Sequence, residues 1–154
     1  MRLDELKELV ASDAEMSAET LDYIDELLAA VEQRDPTVHD LAAFGAYLQN
    51  IYNGIENVLK RFAMFHQVEV PNDANWHETL LQLFTHPAKP PLPQLIPPDL
   101  SEQLTAYRGF RHVFTKRYAA QLDWEKLEPL VKGARPLLEA FQSQVDAALG
   151  RTTD

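Results

Sequence analysis

The feature that most constrains the fold is an apolar seam in the first half of the chain. Eight apolar residues recur there at alternating spacings of three and four residues: Leu41, Phe44, Leu48, Ile51, Ile55, Val58, Phe62 and Phe65. Because an α-helix completes one turn in about 3.6 residues, this spacing places all of these side chains along one side of a helix. The pattern predicts a helix from about Pro36 to Gln67 whose apolar side must pack against other helices.

Three other long stretches carry a similar stripe. A helix predicted from about Leu3 to Gln33 has its apolar face at Leu21, Ile24, Leu28 and Val31. A helix capped by Asp99 together with Glu102 carries Leu100, Leu104, Tyr107, Phe114 and Tyr118. A last helix, capped by Asp123, carries Trp124, Leu127, Val131, Ala134, Leu138, Phe141 and Val145. Each stripe has the spacing of a helix that is buried on one face only.

Local signals predict where these helices begin and where they are interrupted. Residues 12–15 have the pattern of a capping box, which predicts a break or kink in the first helix. The pair Asp35-Pro36 is a start signal for the second helix. Pro129 and Pro136 are expected to kink the last helix or to divide it near Gly133.

Two shorter segments lie between the second helix and the helix at Asp99. Asn75 and Glu78 form a capping pattern that predicts a short helix, and its apolar residues are Trp76, Leu80, Leu81 and Phe84. Six of the ten prolines fall between Pro87 and Pro98, so this stretch is predicted to be extended and to cross one end of the molecule. Its PxxP spacings leave open a second interpretation, as a ligand for proline-binding modules.

Together these elements predict an all-α fold. We expect an up-and-down four-helix bundle with a short accessory helix and a Pro-rich crossover, formed by residues 1–154 as a single domain. The chain has no cysteine, which excludes disulfides and thiolate chemistry. No apolar run approaches the ~20 residues that span a membrane and no signal sequence opens the chain, so a cytoplasmic protein is expected. The formal net charge of -10 disfavours a broad nucleic-acid-binding surface but permits a local basic groove.

One charged residue interrupts an apolar stripe. On the helix that starts at Asp99 the stripe passes through position 111, which is Arg. A guanidinium in such a place is costly unless it is paired, and Glu56 is one candidate partner that would lock two helices together. The second interpretation is a cationic groove that binds phosphate and transfers a proton. It is favoured by a cluster within eleven residues of this acidic chain: Arg108, Arg111, His112, Lys116, Arg117 and Tyr118.

The same segment carries a resemblance to a known family. Residues 107–118, read as YRGFRHVFTKRY, are followed by Leu122-Asp123-Trp124; they resemble the signature of the HepT-like proteins, a branch of the HEPN superfamily of helical-bundle ribonucleases and toxins. Residues 47–63, read as YLQNIYNGIENVLKRFA, and the triplet Asn75-Trp76-His77 are similar to that family too. The resemblance extends from about Thr20 to Leu149.

The resemblance implies a set of functional residues. The family motif is Arg, four residues, His, one residue, Tyr, and it places Arg111 and Tyr118 in the catalytic site. The family histidine is replaced by Lys116, a cation suited to binding phosphate and poorly suited to act as a base. His112 is the candidate that stands in for it, and Arg108 with Lys116 would bind substrate phosphate.

The resemblance also implies partners and a reaction. Family members cleave RNA without a metal or other cofactor, form homodimers, and pair with a nucleotidyltransferase-type antitoxin, which in some pairs modifies the motif tyrosine, here Tyr118. His77-Glu78 begins like a zinc-binding HExxH motif, but position 81 is Leu, so no metal site is predicted. Two alternatives to the ribonuclease remain: a catalytically silent helical module that binds a protein or nucleotide, and a scaffold in which the motif is only structural.

Overall fold

Helices account for every regular element in the part of the chain that is described. The structure, a computed structural model, describes residues 1–116 and 122–154, with all their side chains except those of Thr115 and Lys116. Its five helices are α1 (Leu3–Val31), α2 (Val38–Phe65), α3 (Trp76–Leu83), α4 (Pro98–Lys116) and α5 (Trp124–Arg151). The all-α prediction is confirmed. None of the helices in these residues is long and apolar enough to cross a membrane.

Helix α2 is the centre of the core and contacts each of the other four helices. The middle of the predicted seam is buried, at Phe44, Leu48, Ile51, Ile55, Val58 and Phe62. Leu41 and Phe65, at the two ends, are partly buried against the same core. Complete burial of each large apolar side chain contributes roughly 1.5–3 kcal/mol, so this seam is a main source of the stability of the fold.

The start of α2 differs from the prediction. The N-cap is Thr37, two residues beyond Asp35; its hydroxyl accepts a hydrogen bond from the Asp40 amide, and the Asp40 carboxylate accepts one from the Thr37 amide. Arg34 also binds Asp40. Hydrogen bonds from Arg34 and from the Thr37 amide hold the pKa of Asp40 well below its usual range. This reciprocal cap fixes the first turn of α2 more tightly than Asp35 alone could.

Helix α1 is continuous, so the break predicted at residues 12–15 is wrong. Asp13, in the middle of that segment, is only 7% exposed and does not cap a helix. Its carboxylate accepts two hydrogen bonds from Arg61 on α2, over 2.8 Å to Nε and 3.2 Å to Nη2. Asp13, which read as part of a helix start, therefore forms a contact between α1 and α2.

Helix α5 is also continuous, and the predicted division near Gly133 is wrong. Pro129 and Pro136 both lie on its exposed side, where the backbone carbonyls that lose their partners can bind water. Leu137, and not the predicted Leu138, is the fully buried residue of that turn. The hydroxyl of the buried Tyr107 donates to the carbonyl of Leu130 over 2.7 Å, which joins α4 to α5.

The proline-rich segment between α3 and α4 contains no α-helix, as predicted. It is nevertheless anchored: Leu92, Leu95 and Ile96 are buried, and the amides of Leu95 and Ile96 both donate to the carbonyl of Phe84 over 3.2 Å. Helix α3 begins after Asn75, as predicted, while α4 begins at Pro98, one residue before the expected cap Asp99. A proline in the first turn lacks only an amide that would have no helical partner.

Candidate functional site

Arg111, the charged residue in the α4 stripe, is held by two neutral groups. Its Nε donates to Oδ1 of Asn53 on α2 over 3.2 Å, and its Nη1 lies 3.3 Å from Nε2 of His77 on α3. Within residues 1–116 and 122–154 it makes no ion pair with a carboxylate. The expected pairing with Glu56 is therefore wrong, and the charge of Arg111 is not cancelled by a direct contact.

Glu56 binds His77 instead. The glutamate is 2% exposed, and its Oε2 lies 2.6 Å from Nδ1 of the imidazole. A buried carboxylate is strongly disfavoured unless hydrogen bonds or a counter-charge compensate it, and His77 supplies that contact here. Three helices thus contribute to one chain of contacts, from Glu56 through His77 to Arg111.

These contacts determine which nitrogen of His77 carries the proton. A guanidinium has only donors, so Nε2 of His77 must accept the hydrogen bond from Arg111 and cannot carry hydrogen. The remaining ring proton then sits on Nδ1 and is donated to Glu56. In the tautomer that fits both contacts, the Nε2 lone pair faces the side of Arg111.

The ring of His77 is fixed from a second direction as well. The Trp76 ring stacks on it with the ring centroids 3.5 Å apart, and Nζ of Lys60 lies 4.1 Å from the centroid of Trp76. The cation over the indole favours the position of Trp76. The imidazole is therefore set between a stacked ring, a buried carboxylate and a guanidinium, while its side chain remains 23% exposed.

Tyr52 lies one turn before Glu56 on α2 and close to the same charged side chains. It is 1% exposed, and its hydroxyl makes no well-formed hydrogen bond within the described part of the chain. Burial and the nearby Glu56 carboxylate raise the pKa of Tyr52, and the charges of Arg108 and Arg111 oppose that rise. The phenol is consequently a neutral buried group beside the two arginines.

An open cleft of about 370 Å³ lies over these residues, between α3 and α4. Its lining is formed by Ala74, Asn75, His77, Glu78, Arg108, Gly109, Arg111 and His112. Arg108 is half-exposed and lies 3.9 Å from the exposed Glu78, a weak contact at that distance. Two arginines and two imidazoles in a cleft of this size are a suitable environment for a phosphate group.

The structure brings together three of the residues predicted from sequence and leaves two others outside what it describes. Arg108, Arg111 and the exposed His112 line the same cleft. Lys116 is the last residue of α4, but its side chain is outside the described part. Tyr118 also lies outside the described residues.

Sequence reasoning did not assign His77 to the site: that residue appeared only in the family-like triplet Asn75-Trp76-His77 and as half of a zinc motif. It also missed Asn53 and Tyr52, and it assigned Glu56 to the wrong partner. The available signal was Glu56 itself, an acidic residue beside the seam of α2 that required a partner. In the described ranges, no three His, Asp or Glu side chains come together in a way that could hold a metal ion.

Comparison with known families gives one match that bears on this cleft. A family model described as HepT-like protein matches residues 43–151, which is more than half of the chain. The matched range begins early in α2 and ends with the last residue of α5, so it includes every residue of the cleft. Comparison with curated proteins and with solved structures gives no match.

Proposed function

The chain belongs to the family of HepT-like proteins, in the HEPN superfamily, and from that premise we propose that it is a metal-independent endoribonuclease of the toxin type. The cleft between α3 and α4 would hold a phosphodiester of RNA. The 2′-hydroxyl attacks the adjacent phosphorus, the bond from phosphorus to the 5′-oxygen breaks, and the products are a 2′,3′-cyclic phosphate and a 5′-hydroxyl.

The state of Arg111 is the observation that carries this proposal. Arg61 and Arg135, which join helices elsewhere, bind carboxylates directly. Among the described residues, Arg111 contacts an amide oxygen and an imidazole nitrogen but no carboxylate, so its positive charge remains available at the mouth of a cleft. A planar guanidinium in that condition suits two oxygens of a phosphodiester.

The other site residues take roles that follow from their chemistry. Arg108, on the same face of α4, is proposed to grip a second phosphate oxygen or the next phosphate along the strand. His112 supplies an imidazole at the rim, and Lys116 adds a cation one helical turn further on. Tyr118 is proposed as the residue that the antitoxin modifies.

The wider arrangement is proposed on the same basis. The four long helices would form an up-and-down bundle with α3 as an accessory helix and the proline-rich segment as a crossover, within a single domain of residues 1–154. The active form would be a cytoplasmic homodimer. Its partner would be a nucleotidyltransferase-type antitoxin.

Cleavage of a mixed total RNA in EDTA tests this function directly. We expect the purified protein to cut RNA and Arg111→Ala to cut it ~100-fold more slowly, with both proteins folded. Arg135→Ala, which removes a guanidinium that pairs with α1 and does not line the cleft, is the matched control and should cut like the unaltered protein. If the unaltered protein is folded and leaves RNA intact, the ribonuclease proposal is overturned.

A second candidate is a catalytically silent binding module. The observation that favours it is Lys116 at the position of the family histidine, together with the net charge of -10. In that case the same cleft would hold a phosphate-bearing ligand or an acidic partner without cutting it. Binding of the total RNA by the unaltered protein, lost in Arg111→Ala and unaccompanied by cleavage, would establish this second function.

A further inference from the structure

We propose that His77 is the catalytic base of this site and that Glu56 is the buried residue that positions it. The inference rests on the ribonuclease function proposed above and adds to it the group that takes the proton from the 2′-hydroxyl. In this assignment a histidine of α3 takes the proton. Lys116 on α4, which replaces the family histidine, is a poor base and cannot do so.

The first argument is the direction of the lone pair. Arg111 can only donate and Nδ1 lies 2.6 Å from the carboxylate of Glu56, so the tautomer that satisfies both contacts has its hydrogen on Nδ1 and its lone pair on Nε2. The imidazole therefore presents its basic nitrogen to the cleft and to the guanidinium that would bind the phosphate. A general base has to lie within reach of the proton it removes, and His77 lines the cleft in which the phosphodiester would bind.

The second argument is the burial of Glu56. A carboxylate at 2% exposure is unfavourable for stability unless something requires it, and an apolar residue of similar volume would fit the seam of α2 better. When His77 takes a proton it becomes an imidazolium, and the buried carboxylate 2.6 Å away stabilises that charge. Glu56 is thus placed where it holds the ring in one tautomer before the reaction and balances its charge afterwards.

The third argument is comparison with His112, the imidazole first expected to act. His112 is exposed at the rim of the cleft, whereas His77 is largely covered and clamped by Trp76 and Glu56. A side chain that is largely covered and packed against a ring loses less entropy when it reaches the transition state than one that is exposed. The geometry therefore favours His77 for the step that needs a directed lone pair.

The step balances without any further reagent. Arg111 moves its Nη1 from His77 to a phosphate oxygen, and Nε2 then accepts the proton of the 2′-hydroxyl. The bond from the 2′-oxygen to phosphorus forms while the bond from phosphorus to the 5′-oxygen breaks. The leaving 5′-oxygen takes a proton from water, and His77 later returns its proton to solvent. The hydrogen bond of 3.3 Å between Nη1 and Nε2 is a weak one, and a phosphate oxygen is a stronger acceptor for the guanidinium, so Arg111 loses little when it turns to phosphate.

The principal test compares three glutamine variants of the full chain on a fluorescein-labelled single-stranded RNA of mixed sequence. We expect His77→Gln to lower kcat by roughly 100- to 10,000-fold and Glu56→Gln by a smaller factor, because a base contributes about that much and its positioning residue less. His112→Gln, an imidazole removed from the same cleft, should lower kcat by less than ~10-fold. Binding of the fully 2′-deoxy strand of the same sequence should change little in all three.

Two further measurements separate proton transfer from a structural role. Removal of the base should abolish the rise of kcat/KM with pH, and added imidazole should restore part of the rate of His77→Ala through the open cleft. In the resting unaltered protein, ¹⁵N NMR of the His77 ring should show hydrogen on Nδ1 and none on Nε2. A protonated Nε2 in that spectrum overturns the assignment even if the substituted proteins fail to fold.

The outcomes distinguish this inference from the function on which it rests. If the unaltered protein cuts RNA and His77→Gln cuts it equally well, His77 is not the base, while the ribonuclease stands. If the unaltered protein is folded and cuts no RNA, the ribonuclease and the inference fail together. If His77→Gln loses kcat, still binds the 2′-deoxy strand and no longer shows a rise of kcat/KM with pH, the ribonuclease function and the assignment of His77 are both supported.

Discussion

Two places in this molecule join helices through an arginine, and they are built differently. At the contact between α1 and α2, Arg61 donates two hydrogen bonds straight to the carboxylate of Asp13. At the contact between α2, α3 and α4, an imidazole stands between Arg111 and the carboxylate of Glu56. The first arrangement cancels opposite charges in one contact. The second keeps them apart and leaves the cation at a cleft.

The difference shows what an inserted histidine does to a buried ion pair. A direct bidentate pair satisfies both partners and offers nothing to a ligand. With His77 in between, the carboxylate of Glu56 contacts an imidazole, and the guanidinium contacts that imidazole and an amide but no carboxylate of the described residues. An arginine and a carboxylate lock α1 to α2 when they meet directly. With a histidine between them, at the contact of α2, α3 and α4, the arginine is left facing a cleft.

The strongest way to break this contrast is to give Arg111 a carboxylate of its own. Asn53→Asp replaces the amide oxygen that accepts from Nε, 3.2 Å away, with a charged oxygen of nearly the same shape. The new pair would resemble Arg61 with Asp13, so we expect RNA cleavage to fall by on the order of 10- to 100-fold with the fold intact. Initial rates on the labelled RNA measure this.

Asn50→Asp is the control for that change. It adds the same charge to the same helix at an exposed residue, and it should lower cleavage only slightly. Equal loss in the two variants would mean that added negative charge alone repels RNA and that the direct contact with Arg111 is unimportant.

The opposite expectation applies to Arg61. Arg61→Ala leaves the buried Asp13 without its partner, and because the Arg61 side chain is itself 33% exposed we expect a loss of about 2 kcal/mol in the free energy of unfolding. Cleavage per folded molecule should be unchanged. Urea unfolding followed by circular dichroism gives the first quantity, and the RNA assay gives the second.

Arg135→Ala tests whether burial is the reason for that loss. Arg135 binds Asp22 and Asp25, whose side chains are 79% and 54% exposed, so its removal should cost less than about 0.5 kcal/mol. If Arg61→Ala is no more destabilising than Arg135→Ala, the contact between α1 and α2 is not the lock described above.

A smaller gain is expected from restoring the family histidine. Lys116→His places an imidazole on α4 four residues after His112, and we expect cleavage to rise by up to ~10-fold if His77 already serves as the base. Lys126→His, at an exposed residue of the first turn of α5 that does not line the cleft, is the control and should change nothing. A rise of many hundred-fold would instead indicate that His77 contributes little and that Lys116 had silenced the site.

The smallest effect concerns the pH dependence of stability at the start of α2. The pKa of Asp40 in the folded protein lies below that of the unfolded chain, which is ~3.9 for an ordinary aspartate. Asp40 thus contributes stability above that pH, and the contribution is lost as the pH falls towards the folded pKa. Thermal unfolding from pH 7 down to pH 3 should show a steeper fall for the unaltered protein than for Asp40→Asn. Asp99→Asn, another first-turn aspartate that is exposed, should follow the unaltered protein.

The helices were predictable because they depend on local periodicity, whereas the wrong predictions share a tertiary cause. Asp13 looked like part of a helix start because its partner Arg61 lies 48 residues away. Pro129 and Pro136 looked like interruptions because their exposure on α5 is not visible in the sequence. Local polarity and proline patterns are ambiguous until it is known which side of a helix faces the core.

The site residues also fall into two groups, those that the sequence pattern identifies and those that depend on a tertiary contact. Arg111 was identifiable because a charge in an apolar stripe stands out along a single helix, and Arg108 and His112 followed from their nearness to it in sequence. The contact between Glu56 and His77 joins residues 21 apart on different helices, across a connection with no regular pattern. No spacing rule links such a pair, because its formation depends on how α3 returns against α2.

The brevity of α3 has a consequence for control of the site. Eight residues make too short a helix to persist in water by itself, so α3 is kept in place by Leu80, Leu81 and the buried residues of the proline-rich segment. The imidazole that faces Arg111 is therefore carried by the shortest of the five described helices, and local unfolding of that helix would remove it from the site. A protein that bound the proline-rich segment could therefore change the fraction of molecules in which α3 is docked and the site is complete. It could do so without contacting the cleft.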